Sequence, residues 1–273
     1  MNTMNAPLDD SEIRQAVTVV RRDAGLDESA WFETISLDES GRYPGQRGAY
    51  VCCYEPVSNR TLCGVVLFDS DSLHDWRHLE GMQARIVPDE FAMACELARQ
   101  HEGFLEALGK RGLEDASRVL IESWSAGHFG NPEEQDQRIA YGHCWLMNDA
   151  GDNPYARPIG NLHPVFDLAA REIIRIDDFG VVPIPPDPGP IRRPQQRDDL
   201  REISITQPDG PSFTVDGYQV RWHDWELQVG FAQRDGLVLY DIGIHDQGRL
   251  RPLMKRASMA EMVVPYGDPR AAN

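Results

Sequence analysis

The sequence predicts an α+β protein: two consecutive small domains, each a helix laid on an antiparallel sheet, then a further set of strands too few to close a fold of their own. Three observations carry this. An amphipathic helix near the N-terminus is followed by strand-like runs; the same order of elements recurs mid-chain behind a similar Gly-Leu-acid turn; and the residues after Phe213 alternate at period two between hairpin signals.

The first helix starts at Asp9-Asp10-Ser11, which offers N-caps. Ile13, Ala16, Val17 and Val20 give it an apolar stripe, and Gly25 ends it. Strands are expected at 31–37, 48–54 and 62–69, with a Pro/Gly turn at 43–48. Pro88-Asp89-Glu90 opens a second helix with the stripe Phe91, Ala94, Cys95 and Ala98. A short helical stretch, 104–108, closes near Gly112, and strands follow at 119–122, 140–147, 165–167 and 173–177. The turn Gly25-Leu26-Asp27 is echoed by Gly112-Leu113-Glu114, 87 residues downstream, a reasonable size for a small domain; a chance likeness of two helix ends is the alternative.

Prolines 183, 185, 186, 188, 190 and 194 then mark a stiff, extended connector, because proline fixes φ and removes donors. Beyond it Phe213/Val215, Val220/Trp222, Leu227/Val229/Phe231 and Leu237/Leu239 alternate, with Asp216-Gly217 and Asp235-Gly236 as turns. About five short strands fall below the roughly seven of a stable sandwich, so this unit reads as part of something larger. The expected divisions are 1–86, 87–182, a linker at 183–201, and 202–273.

Composition narrows the function. A hydrophobic fraction of 41% supports a packed core, and a net charge of −17 argues against nucleic-acid or anionic-membrane partners. Only 10 acidic and 8 basic residues lie from Arg201 on, so nearly all of that charge belongs to the first 200 residues; it serves either solubility or the attraction of cations such as amines. The start of the chain has no basic, apolar leader and no run suits a membrane span, so a cytoplasmic protein is expected. Five cysteines without zinc spacing read as buried thiols. His74 and His78 would share a face if helical, but imply no third metal ligand.

Residues 205–213, Ile-Thr-Gln-Pro-Asp-Gly-Pro-Ser-Phe, and the stretch from Gly248-Arg249 to Pro265-Tyr266-Gly267-Asp268-Pro269 resemble the opening of the large catalytic β-sandwich of the copper-containing primary-amine oxidases, the topaquinone enzymes. More loosely, Pro7-Leu8 with the first helix resembles the family's second domain. Residues 124–129 and 153–158 resemble its third, and both are small cystatin-like α+β folds. The resemblance implies copper and topaquinone in an intact homodimeric enzyme that uses dioxygen to convert primary amines to aldehyde, ammonia and hydrogen peroxide. It assigns Tyr266 to orienting the quinone, and Phe91, Ser123, Trp124 and Tyr155 to the substrate channel. By pattern alone Phe91 is core, whereas Trp124 and Tyr155 fall in Gly- and Pro-flanked loops that suit an exposed binding surface. An aromatic channel in acidic surroundings implies hydrophobic or aromatic monoamines.

The family's Asn-Tyr-Asp/Glu quinone precursor, its His-x-His copper pair and the aspartate base before Gly-Glu-Tyr have no counterpart here, and Asp268 is not that base. The chain by itself is therefore expected to bind no copper and to be inactive. The competing reading is a self-standing, non-catalytic binding or assembly module; strands with uncovered apolar faces argue against it.

Overall fold

The computed structural model describes residues 3–26, 28–125, 127, 130–135, 137–148, 153–186, 199–259 and 261–264. Its contacts divide into two compact units: residues 1–54, 62–78 and 203–273 in one, 55–61 and 79–202 in the other. Among the described residues no helix is long and apolar enough to cross a membrane.

In the first unit, α1 (Asp10–Ala24) is capped by Asp9, whose side chain accepts from the Ser11 and Glu12 backbone, while Glu12 accepts from the Asp9 backbone in return. Gly25 ends the helix at φ 66°, where a side chain would be strained. α1 buries Ala16, Val19 and Val20 against Ala49, Val51, Cys53 and Val66. Val19 takes the place expected of Val17, and Ile13 is left 38% exposed.

The sheet beneath is an antiparallel meander of β1 (Trp31–Leu37), β2 (Gly48–Glu55), β3 (Arg60–Leu67) and β4 (Ser72–His78). β4 goes beyond the expected strands; His74, Asp75 and Arg77 mask its alternation. His74 and His78 stand on this edge strand and not on a helix, with the His74 Nε2 2.9 Å from Ser72 Oγ. Burial pushes the Cys52 and Cys53 thiols up to about 12, as inert core cysteines should be.

Arg47 ties the N-terminal segment down. It donates to both Glu12 carboxylate oxygens, at 2.5 and 2.8 Å, and to the carbonyls of Met4, Ala6 and Pro7. Those bonds hold the Glu12 carboxyl below its ordinary value of 4.5. Because the folded state is the more acidic, this contribution is present above the unfolded value and is lost as pH falls through the folded one. In urea melts between pH 6 and pH 3, Glu12→Gln should be less stable than the parent at the upper end, by about 1.5–3 kcal/mol, and should converge on it at the lower end. Parallel curves would contradict the assignment.

The second unit repeats the plan. α2 (Pro88–Gln100) and α3 (Glu102–Gly109) cover a meander of β5 (Val119–Ser125), β6 (Ile139–Leu146), β7 (Leu162–Asp167) and β8 (Glu172–Asp178), in that order. Gly112, at φ 73°, stands where Gly25 stands in the first copy. Ala94, Ala98, Phe104 and Leu108 from the helices pack on Val119, Ile121, Leu162 and Phe166. Cys144, in the same core, is likewise pushed up to about 12 by burial.

The remaining strands, β9 (Phe213–Asp216), β10 (Gln219–Trp222), β11 (Trp225–Ala232), β12 (Gly236–Asp246) and β13 (Arg249–Ser258), form one antiparallel sheet of consecutive neighbours. The expected hairpins are there, with Asp216-Gly217 between β9 and β10 and Asp235-Gly236 at the start of β12. Val238, Tyr240 and Ile242 are buried, while every residue of β9 is exposed.

Candidate functional site

β5 is the outer strand of the second unit's sheet. Its alternation sends Val119, Ile121 and Ser123 inward and leaves Leu120, Glu122 and Trp124 half-buried or exposed. Along β5 runs an open groove of about 850 Å³, walled by residues 83–86, by Phe91 and Ala92 at the start of α2, and by residues 120–125.

A buried ion pair builds that wall. Arg138 donates to the two Glu90 carboxylate oxygens at 2.6 and 2.7 Å, and to the Ala84 and Arg85 carbonyls at 2.5 and 2.8 Å. Glu90 also accepts from the Val87 backbone at 3.0 Å, so one carboxylate caps α2 and anchors the segment before it.

Three of the expected channel residues meet in this groove. Phe91 is 40% exposed, not core: Glu90, Ala94 and Ala98 form the buried stripe, and Phe91 projects beside it. Trp124, 55% exposed, lies on β5 and not in a loop. Ser123 is fully buried, and its Oγ has no hydrogen-bond partner among the described residues. Tyr155 lies on the short 3-10 turn Pro154–Ala156 and does not line the groove, yet its hydroxyl donates to Glu122 Oε1 at 2.5 Å.

Glu122, which sequence reasoning did not single out, connects these aromatics. Its second oxygen accepts from Trp124 Nε1 at 3.4 Å. Around it the Trp124 ring lies 4.7 Å from His143, His143 lies 5.2 Å from His163, and Tyr155 meets Trp145 edge-on at 5.3 Å. Burial first, then the neighbouring His163, lower the His143 pKa, so this imidazole is neutral at pH 7. A carboxylate was not legible as a site residue from an Ile-Glu-Ser-Trp run, because its shorter bond comes from Tyr155, 33 residues away.

Tyr266 lies outside the described residues. Among the described residues no three His, Cys, Asp or Glu side chains gather as a metal-binding group, so they do not fit copper.

Fold and groove together define a helix-on-sheet domain whose outer strand presents Trp124 and Glu122 to a groove that Phe91 of α2 also lines. Residues 89–190 match the family model described as the copper amine oxidase N3 domain, and residues 214–273 the one described as the copper amine oxidase enzyme domain. The chain belongs to the copper amine oxidase family and corresponds to an N-terminal portion of its members.

Among relatives, the primary amine oxidase of Arthrobacter sp. (strain P1) is 36% identical over 272 residues, which cover 96% of this chain and 42% of the relative. The histamine oxidase of Arthrobacter globiformis is 38% identical over 191 residues, 68% of this chain and 28% of that one. The chain thus spans less than half the length of these curated relatives. A copper-containing benzylamine oxidase from Hansenula polymorpha shares the fold, with a TM-score of 0.75 over 97% of this chain and 46% of that structure at 22% identity.

Proposed function

We propose that this chain supplies a wall of the substrate channel in a copper- and topaquinone-dependent oxidase that converts primary amines, with dioxygen, to aldehyde, ammonia and hydrogen peroxide. The convergence of Phe91, Ser123 and Trp124 on one groove carries the reading. Apolar faces on Phe91 and Trp124 suit the carbon skeleton of an amine, and the acidic first 200 residues favour the approach of a cation. The proposal divides the chain into domains at 1–86, 87–182 and 202–273, joined by 183–201; it gives Tyr266 the quinone-orienting role and places the intact enzyme in the cytoplasm as a homodimer.

Because the sequence has no counterpart of the family's Asn-Tyr-Asp/Glu precursor, His-x-His pair or aspartate base, this reading has the chain alone perform no oxidation. In a peroxide-coupled assay of the purified chain with tyramine and butylamine, no turnover above background is expected; sustained peroxide release would overturn the inactive reading. The groove itself is tested by the indole N–H resonance of Trp124, assigned by its loss in Trp124→Phe. Millimolar tyramine should shift it, and Phe91→Ala should weaken the binding about 5- to 10-fold. An unmoved resonance would sink the channel assignment.

A further inference from the structure

On the face of the second unit's sheet that carries Trp124, strand pairing sets four ionisable side chains in a row. Glu122 of β5 pairs with His143 of β6, the His143 ring lies 5.2 Å from that of His163 on β7, and His163 pairs with Asp177 of β8. The two ends of the row differ. Asp177 accepts from the cationic Arg175 Nε at 3.0 Å, whereas Glu122 accepts from two neutral groups, the Tyr155 hydroxyl at 2.5 Å and the Trp124 indole at 3.4 Å. Between the ends, His163 Nδ1 donates to the Gly142 carbonyl at 3.1 Å, and the two imidazoles meet edge-on, so a proton on one opposes a proton on the other.

Trp124 has two restraints on this face, and both involve His143. The imidazole packs on the indole, with centroids 4.7 Å apart, and it stands opposite the carboxylate that accepts the indole N–H. Burial, then His163, hold the His143 pKa below its ordinary 6.5 against the pull of Glu122, so the ring is neutral at pH 7 and leaves Glu122 to the indole. An imidazolium in its place is a charged donor on the facing strand, and it outcompetes an indole N–H held at 3.4 Å.

Resting on the channel reading above, we infer that His143 is a positioning residue: neutral, it leaves Trp124 fixed on the groove wall, and protonated, it takes Glu122 for itself and releases the indole. His143 is not among the residues that line the groove, so it acts through Trp124. The charge of the imidazolium also attracts the indole face, which turns the freed ring toward β6 and away from a bound amine.

The test follows two signals of the whole 273-residue chain without ligand: the Trp124 indole N–H, assigned by its loss in Trp124→Phe, and the His143 ring protons, assigned through the backbone. Between pH 7.5 and pH 5 the indole should shift with a single midpoint, below 6.5 and shared with His143. His143→Phe keeps a ring against Trp124 but accepts no proton, and its indole should stay still over the same range. Tyramine should bind the parent about fivefold more weakly at pH 5 than at pH 7.5, and should bind His143→Phe equally at both. An indole that does not titrate in the parent, titrates away from the His143 midpoint or titrates in His143→Phe would overturn the inference and leave the channel reading standing, as would a tyramine affinity that falls alike in both chains. Tyramine that moves Trp124 at no pH would overturn the channel reading itself, and this inference with it. The shared midpoint is read on the parent chain, so misfolding of His143→Phe would not protect the proposal.

Discussion

Glu90→Gln should cost the second unit about 3–5 kcal/mol, the usual consequence of removing one partner from a buried ion pair. Both side chains are nearly inaccessible, Arg138 at 2% and Glu90 at 6%, so the substitution strands a guanidinium where water cannot replace the lost carboxylate. Against a typical domain stability of 5–15 kcal/mol, such a loss approaches unfolding. The damage should also be local, because the same guanidinium holds the Ala84 and Arg85 carbonyls that form the groove wall. Urea denaturation followed by tryptophan fluorescence measures the first effect, and loss of amine-induced shifts at Trp124 the second. Replacing both partners with apolar residues, Glu90→Leu with Arg138→Met, should recover much of the stability, since the penalty comes from the unpaired charge. A single variant within about 1 kcal/mol of the parent would show that the pair is not structural.

That pair marks the boundary of what the sequence reveals. Local signals were legible: Asp9 as a cap, Gly25 and Gly112 as left-handed helix ends, and the alternation that places β1, β2, β6 and β9 to β12. Signals that depend on distant partners were not. A glutamate one turn into α2 belongs to solvent by its type, and only Arg138, 48 residues away, explains its burial. Phe91 looks like core because it opens an apolar series, but Glu90 takes the inward position and turns Phe91 toward the groove. Proline 164 hides the start of β7, which runs from Leu162 and pairs Pro164 with Ile176. Phe91, Ser123 and Trp124, which could be named from resemblance, line one groove. Glu122, which links Trp124 to Tyr155, needed the tertiary structure.

Deleting residues 203–273 should turn a self-associating chain into a monodisperse one. The sheet of β9 to β13 leaves Phe213, Trp222, Phe231, Leu237 and Met254 at 46–68% exposure, well beyond the scattered apolar residues of an ordinary surface. Both of its edges, β9 and β13, end the sheet, and their unpaired backbone groups are templates for another chain. Among the described residues its polar ties within the first unit include Tyr240 donating to Glu39 at 2.9 Å, Arg256 to Glu39 at 2.8 Å, and Asn5 to Asp241 at 2.9 Å. Partly exposed pairs of this kind contribute at most about 1 kcal/mol each, too little to offset several hundred Å² of uncovered apolar surface. Sedimentation velocity across a tenfold concentration range should therefore show growing oligomers for the whole chain and a constant monomer for residues 1–202. The shortened protein should keep its melting transition, because α1 and β1 to β4, and α2, α3 and β5 to β8, each retain their own core. If the whole chain is instead monomeric and the deletion abolishes its cooperative melting, the sheet is an integral part of a self-standing module, and the reading of residues 202–273 as the opening strands of a larger sandwich fails.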